Sequence, residues 1–148
     1  ARNKLNLKNA TSSEFDKKGL PIIGLINEWI KDGKKIKGTD KNLGGTMRLG
    51  SYEARLINNS IIKKIYGKNL IKERHRHRYE VNIAYKEKFE KNGMIFSGLS
   101  PDGELPEIIE LRNHPWFIGV QFHPEFKSRP LAPHPLFSSF IKASKNHK

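Results

Sequence analysis

The sequence predicts an α/β domain. Three observations carry that reading. Short apolar and β-branched runs, at Pro21 to Ile26, Met94 to Gly98 and Glu107 to Leu111, are bounded by turn residues. Stretches with helical spacing are interleaved with them. The apolar run FIGVQF then stops abruptly at His123, with Glu125 two positions further on. At 148 residues the chain is about one domain, and a domain of that size buries roughly 68–70% of the surface its unfolded chain exposes, enough for a core.

Taken in order, ARNKLNLKNA (1–10) reads as the end of a helix with Ala1, Leu5 and Leu7 on its apolar side. No N-cap precedes these residues, so the sequence is expected to start inside an element. Pro21 to Ile26 (PIIGLI) is a buried strand, the Gly-punctuated polar stretch Asp32 to Gly45 a mobile loop, and Thr46 to Ile57 extended. Ser60 caps a short helix carrying Ile61, Ile62 and Ile65, which ends near Gly67. A strand starts near Arg74. In ERHRHRYEVN, strict alternation places Arg74, Arg76, Arg78 and Glu80 on one face and His75, His77, Tyr79 and Val81 on the other.

A helix from Ile83 to Lys91 is stopped by Asn92 and Gly93. The strands Met94 to Gly98 and Glu107 to Leu111 flank the turn residues Pro101, Asp102 and Gly103. His114 to His123 is the next strand. After a proline-rich loop, Pro135 to Ala143 forms a C-terminal helix with Leu136, Phe137, Phe140 and Ile141 on its inner side. There is no internal repeat or low-complexity tract.

Composition narrows the function classes. The chain has no cysteine, which excludes disulfides and thiolate metal sites. It has no apolar stretch long enough to span a bilayer and no charged-then-apolar leader, so the expectation is a cytosolic protein without a membrane partner. The formal charge of +13 raises nucleic acid as a partner, but the 28 Lys and Arg are scattered instead of forming one block. His75 and His77 invite a metal reading, yet no third ligand is fixed nearby in sequence. An RNA reading of the same stretch wants aromatics among the basic residues, and only Tyr79 is adjacent. GGTMRLG (44–50) fits neither a phosphate-binding loop nor a dinucleotide fingerprint. Metal and nucleic acid are therefore set aside.

His123 and Glu125 are the candidate chemistry. On an extended chain, side chains at i and i+2 share a face, so Glu125 can hold one imidazole nitrogen while the other moves a proton. Imidazole titrates near pH 6.5, which suits general acid and base work worth about 10²–10⁴-fold in rate. A base with an orienter lacks only a nucleophile, normally Cys or Ser, and no serine of this chain sits in a recognisable nucleophile elbow. From spacing alone, the plainer reading of a strand that simply ends prevails.

Taken together, GGTMRLG (44–50), ERHRHRYEVN (73–82), HPWF (114–117), QFHPEFKSRP (121–130) and PHPLF (133–137) resemble the glutaminase domain of the CTP synthases, a class I glutamine amidotransferase domain. The resemblance covers nearly the entire chain and reverses the odds for His123 and Glu125. It implies a central, mostly parallel sheet flanked by helices, present here as its C-terminal part without the early strands and the nucleophile elbow. By the same resemblance residues 1–148 are a partial glutaminase domain, with the synthase domain and the nucleophilic cysteine upstream.

The activity implied is conversion of UTP to CTP, with this domain hydrolysing glutamine to supply ammonia. His123 and Glu125 match the catalytic pair, and Glu14 and Arg78 match the residues that contact L-glutamine. An arginine fork suits a carboxylate and a carboxylate suits an ammonium, so the two can divide the head group of the substrate. Without the motif, Glu14 reads as a loop or helix-capping carboxylate and Arg78 as a surface strand residue. No cofactor is expected in this segment. ATP and Mg2+ are implied for the synthase domain, GTP as an allosteric effector, and a homotetramer as the assembly. Two rivals stand beside this reading: a noncatalytic or decayed relative, and a small basic nucleic-acid-binding module.

Overall fold

Residues 1–25, 30–31, 34–35 and 47–147 are described by the computed structural model of the chain, the two short pairs by their backbone alone. Helix α1 (Arg2–Leu5) turns out through Asn6, whose φ of 54° is left-handed, and Arg2 Nε donates to the Ala10 carbonyl at 2.9 Å. The chain then enters a strand that sequence patterning does not mark, β1 (Ala10–Ser12). It runs parallel to β2 (Leu20–Leu25). Strands β3 (Ile30–Lys31) and β4 (Lys34–Lys35) pair antiparallel, so that β4 falls inside the stretch Asp32 to Gly45 expected to be a loop and β3 just before it. The remainder of Asp32 to Gly45, with Ile26 and Thr46, lies outside the described residues.

β5 (Arg48–Leu56) leads through Ser60 into α2 (Ile61–Tyr66). The Ser60 hydroxyl accepts from the Lys63 amide, and Gly67 closes the helix at φ 65°, a left-handed cap that favours glycine. Two first-turn amides without an intrahelical acceptor are taken by a buried carboxylate from another strand: Glu110 accepts from Ile61 N at 2.9 Å and Ile62 N at 2.8 Å. That bond fastens α2 to the sheet.

β6 starts at Leu70 and runs to His77, four residues ahead of the expected start. Its alternation puts Glu73 and His75 inward with Ile71, and Lys72, Arg74 and Arg76 outward. The alternation does not continue past Arg78. His77 Nδ1 meets the Tyr79 carbonyl at 3.1 Å across a bend, and β7 (Tyr79–Val81) leaves to pair with β2 instead of β5. Glu80, expected on the same face as the arginines, is therefore fully buried while Arg74 and Arg76 are exposed.

The expected helix from Ile83 opens as a 3₁₀ turn and becomes α3 (Lys86–Lys91), which buries Phe89 against Phe96. β8 (Met94–Leu99) and β9 (Pro106–Leu111) form the expected hairpin across Pro101–Gly103. Gly98 is required where the two strands close, because a Cβ there would lie 2.8 Å from Ile108 side-chain atoms.

The strand expected over His114 to His123 is only β10 (Ile118–Val120). Asn113 sits at φ 61°, and Trp116 N bonds back to His114 Nδ1, so the start of this stretch is a turn. Helix α4 runs Pro135–Asn146, three residues beyond Ala143. Of its expected inner residues only Leu136 is buried, whereas Phe137, Phe140 and Ile141 are exposed.

The main sheet has the order β10-β9-β8-β5-β6 and is antiparallel at every ladder. A second sheet, β1-β2-β7, holds the parallel pair. The expected mostly parallel sheet is thus not found among the described residues: hairpins built on tight turns force antiparallel neighbours. One core cluster joins Ala54, Leu56, Ile62, Ile71, Ile108, Phe122 and Leu136, and another joins Leu5, Ala10, Ile22, Phe89, Met94 and Phe96. Phe122 anchors the segment that carries His123. Among the described residues no helix is long and apolar enough to cross a membrane.

Candidate active site

The site grows from the end of β10. His123 N donates to the Arg74 carbonyl at 2.9 Å, so the segment QFHPEF lies along the outer edge of β6. Pro124 then starts a 3₁₀ turn (Pro124–Lys127), and this turn, not the pleat of an extended strand, brings the two side chains together. His123 Nδ1 lies 2.7 Å from Glu125 Oε1. With Nδ1–H given to the carboxylate, Nε2 is left to exchange a proton. Phe126 stacks on the imidazole, ring centres 5.1 Å apart, and fixes its plane from the other side. Glu125 is held below its usual range first by its own backbone amide and also by His123, so it stays ionised. The side chains of His123 and Glu125 are 39% and 56% exposed. The dyad faces open space.

Glu14 and Arg78 flank strands of the second sheet. Glu14 lies exposed in the turn after β1, its amide on Ser12 Oγ at 3.3 Å. Arg78 is half-buried at the bend before β7 and has no ion-pair partner among the described residues. Because β1 runs parallel to β2, and Leu25 of β2 pairs with Tyr79, Glu14 and Arg78 stand at the same end of this sheet. No hydrogen bond or ion pair joins either to His123 among the described residues.

Between the two sheets lies a buried polar cluster of which sequence reasoning weighed only His75 and His77. Arg48 Nη2 is 2.7 Å from Glu107 Oε1, and Arg48 Nη1 is 3.3 Å from Glu80 Oε1. His75 Nδ1 and His77 Nε2 are 2.8 Å apart, and His75 Nε2 is 3.6 Å from Glu107 Oε2. A consistent proton order follows: His77 Nδ1–H donates to Tyr79 O, and His75 Nδ1–H donates to His77 Nε2. This leaves His75 Nε2 as an acceptor toward Glu107.

The electrostatics agree with that order. Burial, then Arg48, lowers His75 to about 3 and His77 to about 4, so both rings are neutral. Burial pushes Glu107 up to about 7 despite Arg48. Among the described residues no group of three or more His, Cys, Asp or Glu is arranged to hold a metal ion. The signal for this cluster was present in the sequence as His75 and Glu107, polar residues at inward positions of strands.

With this geometry in place, comparison with known proteins is informative. The family model for glutamine amidotransferase class-I matches residues 7–143. The chain is 87% identical to the CTP synthase of Pelagibacter ubique (strain HTCC1062) over 148 residues, all of this chain and 28% of that protein. It is 60% identical over 145 residues to the CTP synthase of Hyphomonas neptunium, covering 97% of this chain and 27% of that protein. The glutaminase domain of Trypanosoma brucei CTPS with bound acivicin superposes with a TM-score of 0.81 at 34% identity, over 99% of this chain and 55% of that one. The chain thus spans 28% or less of the length of these two full-length relatives.

Proposed function

The chain belongs to the class I glutamine amidotransferase family, and from that premise we propose that it is the C-terminal part of the glutaminase domain of a CTP synthase, a glutamine-hydrolysing C–N ligase. The observation that carries the reading is the His123–Glu125 contact, which leaves one imidazole nitrogen free on an open face. Identity of 87% over the whole chain to one CTP synthase supports it. The chain has no thiol, so the proposal takes its nucleophile, and the synthase domain, from the part of a CTP synthase that these residues do not cover.

In the reaction proposed, His123 Nε2 takes the proton of that thiol, and the sulfur attacks the glutamine carboxamide carbon. The C–N bond breaks, and Nε2 returns the proton to the departing nitrogen, giving ammonia and a thioester. Water then adds to the thioester with Nε2 again receiving a proton, and glutamate leaves as the thiol is restored. Glu125 keeps Nδ1 protonated and stabilises the imidazolium. Arg78 takes the substrate carboxylate and Glu14 its ammonium. Ammonia passes to the synthase domain, which uses ATP and Mg2+ to aminate UTP. The family resemblance adds GTP as effector and a homotetramer as assembly.

The test is a chimaera in which these 148 residues replace the matching 28% of the Pelagibacter ubique protein. Glutamine-dependent CTP formation is expected from the chimaera, and no glutamate release from the isolated chain. A chimaera that makes CTP from added ammonia but not from glutamine would overturn the proposal.

A further inference from the structure

Gln121 stands two residues before His123, and its side chain turns inward. The backbone amide of Gln121 donates to the Glu107 carbonyl at 3.0 Å. Its side-chain Nε2 donates to Glu80 Oε2 at 2.5 Å and also to the Pro106 carbonyl. Both amide protons are thereby used. Glu80 belongs to the other sheet: it is two residues after Arg78, it is fully buried, and its backbone pairs with Gly24 of β2. Its other oxygen faces Arg48 at 3.3 Å. Glu80 is therefore fixed to the β1-β2-β7 sheet through its main chain and to the segment carrying His123 through its side chain.

We infer that Gln121 and Glu80 are a positioning pair for amide cleavage, setting the distance between the sheet that carries Arg78 and Glu14 and the turn that carries His123. The inference rests on the roles proposed above for those three residues. Neither member of the pair touches substrate. A neutral amide is the chemistry this place requires, because a carboxylate at 121 would face both Glu80 and a carbonyl oxygen. A thioether of similar length would donate to neither. Without the brace each sheet keeps its own hydrogen bonds, so head-group binding persists while the imidazole loses its aim. A displacement of about 1 Å at a reacting group costs on the order of 100-fold in rate.

The experiment is Gln121→Met in the full-length chimaera, with kcat and KM for glutamine and the rate of CTP formation from ammonia measured side by side. The expected result is a tenfold to hundredfold fall in glutamine-dependent kcat, a change in KM below about threefold, and an unchanged ammonia rate. A kcat within twofold of the parent, a KM effect with kcat intact, or a parallel fall of both activities would each overturn the inference. Gln121→Asn keeps the amide but shortens its reach, and decides by the same readings if the Met variant does not fold. If both variants fail to fold, the pair holds the fold and not the reaction, and the inference falls. His123→Ala, run alongside, separates the two levels of the argument. If it spares the glutamine-dependent activity, the proposed function is at fault; if it abolishes that activity while Gln121→Met is silent, only the positioning role is.

Discussion

His134 Nε2 donates to Glu73 Oε1 across 3.2 Å, and this bond ties the start of α4 to the interior side of β6. The same ring accepts from Leu136 N through Nδ1, so its tautomer is fixed from both ends. Tyr66 OH donates to the same Glu73 oxygen at 3.1 Å, and Lys127 Nζ lies 3.3 Å from the other. His134→Ala removes a helix cap and one partner of a buried carboxylate, a loss on the order of 2–3 kcal/mol. Thermal unfolding of the chimaera should show a lower transition for this domain, with exchange protection lost first in α4. Unchanged protection there would count against the bond.

His123→Ala should abolish CTP formation from glutamine and leave formation from added ammonia nearly intact, since ammonia bypasses amide cleavage. Glu125→Gln should also cut the glutamine activity steeply, because an amide can donate to Nδ1, which selects the wrong tautomer, and it no longer stabilises the imidazolium. Equal loss of both activities in His123→Ala would refute the assignment of the base.

If Arg78 takes the substrate carboxylate as proposed, Arg78→Ala should remove a charge-assisted pair worth on the order of 1.5–3 kcal/mol, a roughly tenfold to hundredfold loss of apparent glutamine affinity. Glu14→Gln should act in the same direction. Saturation curves for glutamine measure both; an unmoved curve for Arg78→Ala makes that residue structural.

The buried imidazoles predict an acid limb of stability. Their unfolded value is 6.5, and in the fold burial brings His75 to about 3 and His77 to about 4. Between those limits the unfolded chain binds more protons, so stability is full above pH 6.5 and is lost as pH falls. Glu107 acts in the opposite sense: it keeps its proton to about pH 7 in the fold against 4.5 when unfolded, so its contribution is lost as pH rises through that window. Burial raises Glu80 as well, in the same sense as Glu107, so the imidazole contribution is read as a difference between variants. On acidification from pH 6.5 to 4.5 the unfolding midpoint of the parent should fall relative to that of His75→Asn. Calorimetry at half-unit pH steps checks it, and parallel profiles for the two proteins would refute the neutral-imidazole account.

Much of the local architecture was legible because short-range chemistry fixes it. Ser60 and Gly67 bracket α2, and Pro101 to Gly103 make the hairpin, as their residue types require. Chain pairing was less legible. The change of phase at Arg78 depends on β7 finding β2, about 55 residues earlier in sequence, and no local pattern encodes that partner. The pairing of His123 with Glu125 was anticipated, but from a pleat, whereas Pro124 produces it by starting a turn. Arg48, Glu80 and Gln121 escaped notice because each reads as a surface residue until its partners are brought together from strands far apart in the chain.

The openness of the His123–Glu125 dyad bears on the fate of the product. In the reaction proposed, ammonia set free at a side chain 39% exposed would mix with bulk water, be protonated there, and lose the lone pair that makes it a nucleophile. Confinement must then come from outside the described residues, by a surface that closes over positions 123–126 while the C–N bond breaks. On this view the rate of glutamate release and the rate of nitrogen transfer are separable quantities. Their ratio measures how tightly the rest of the assembly covers this one exposed turn.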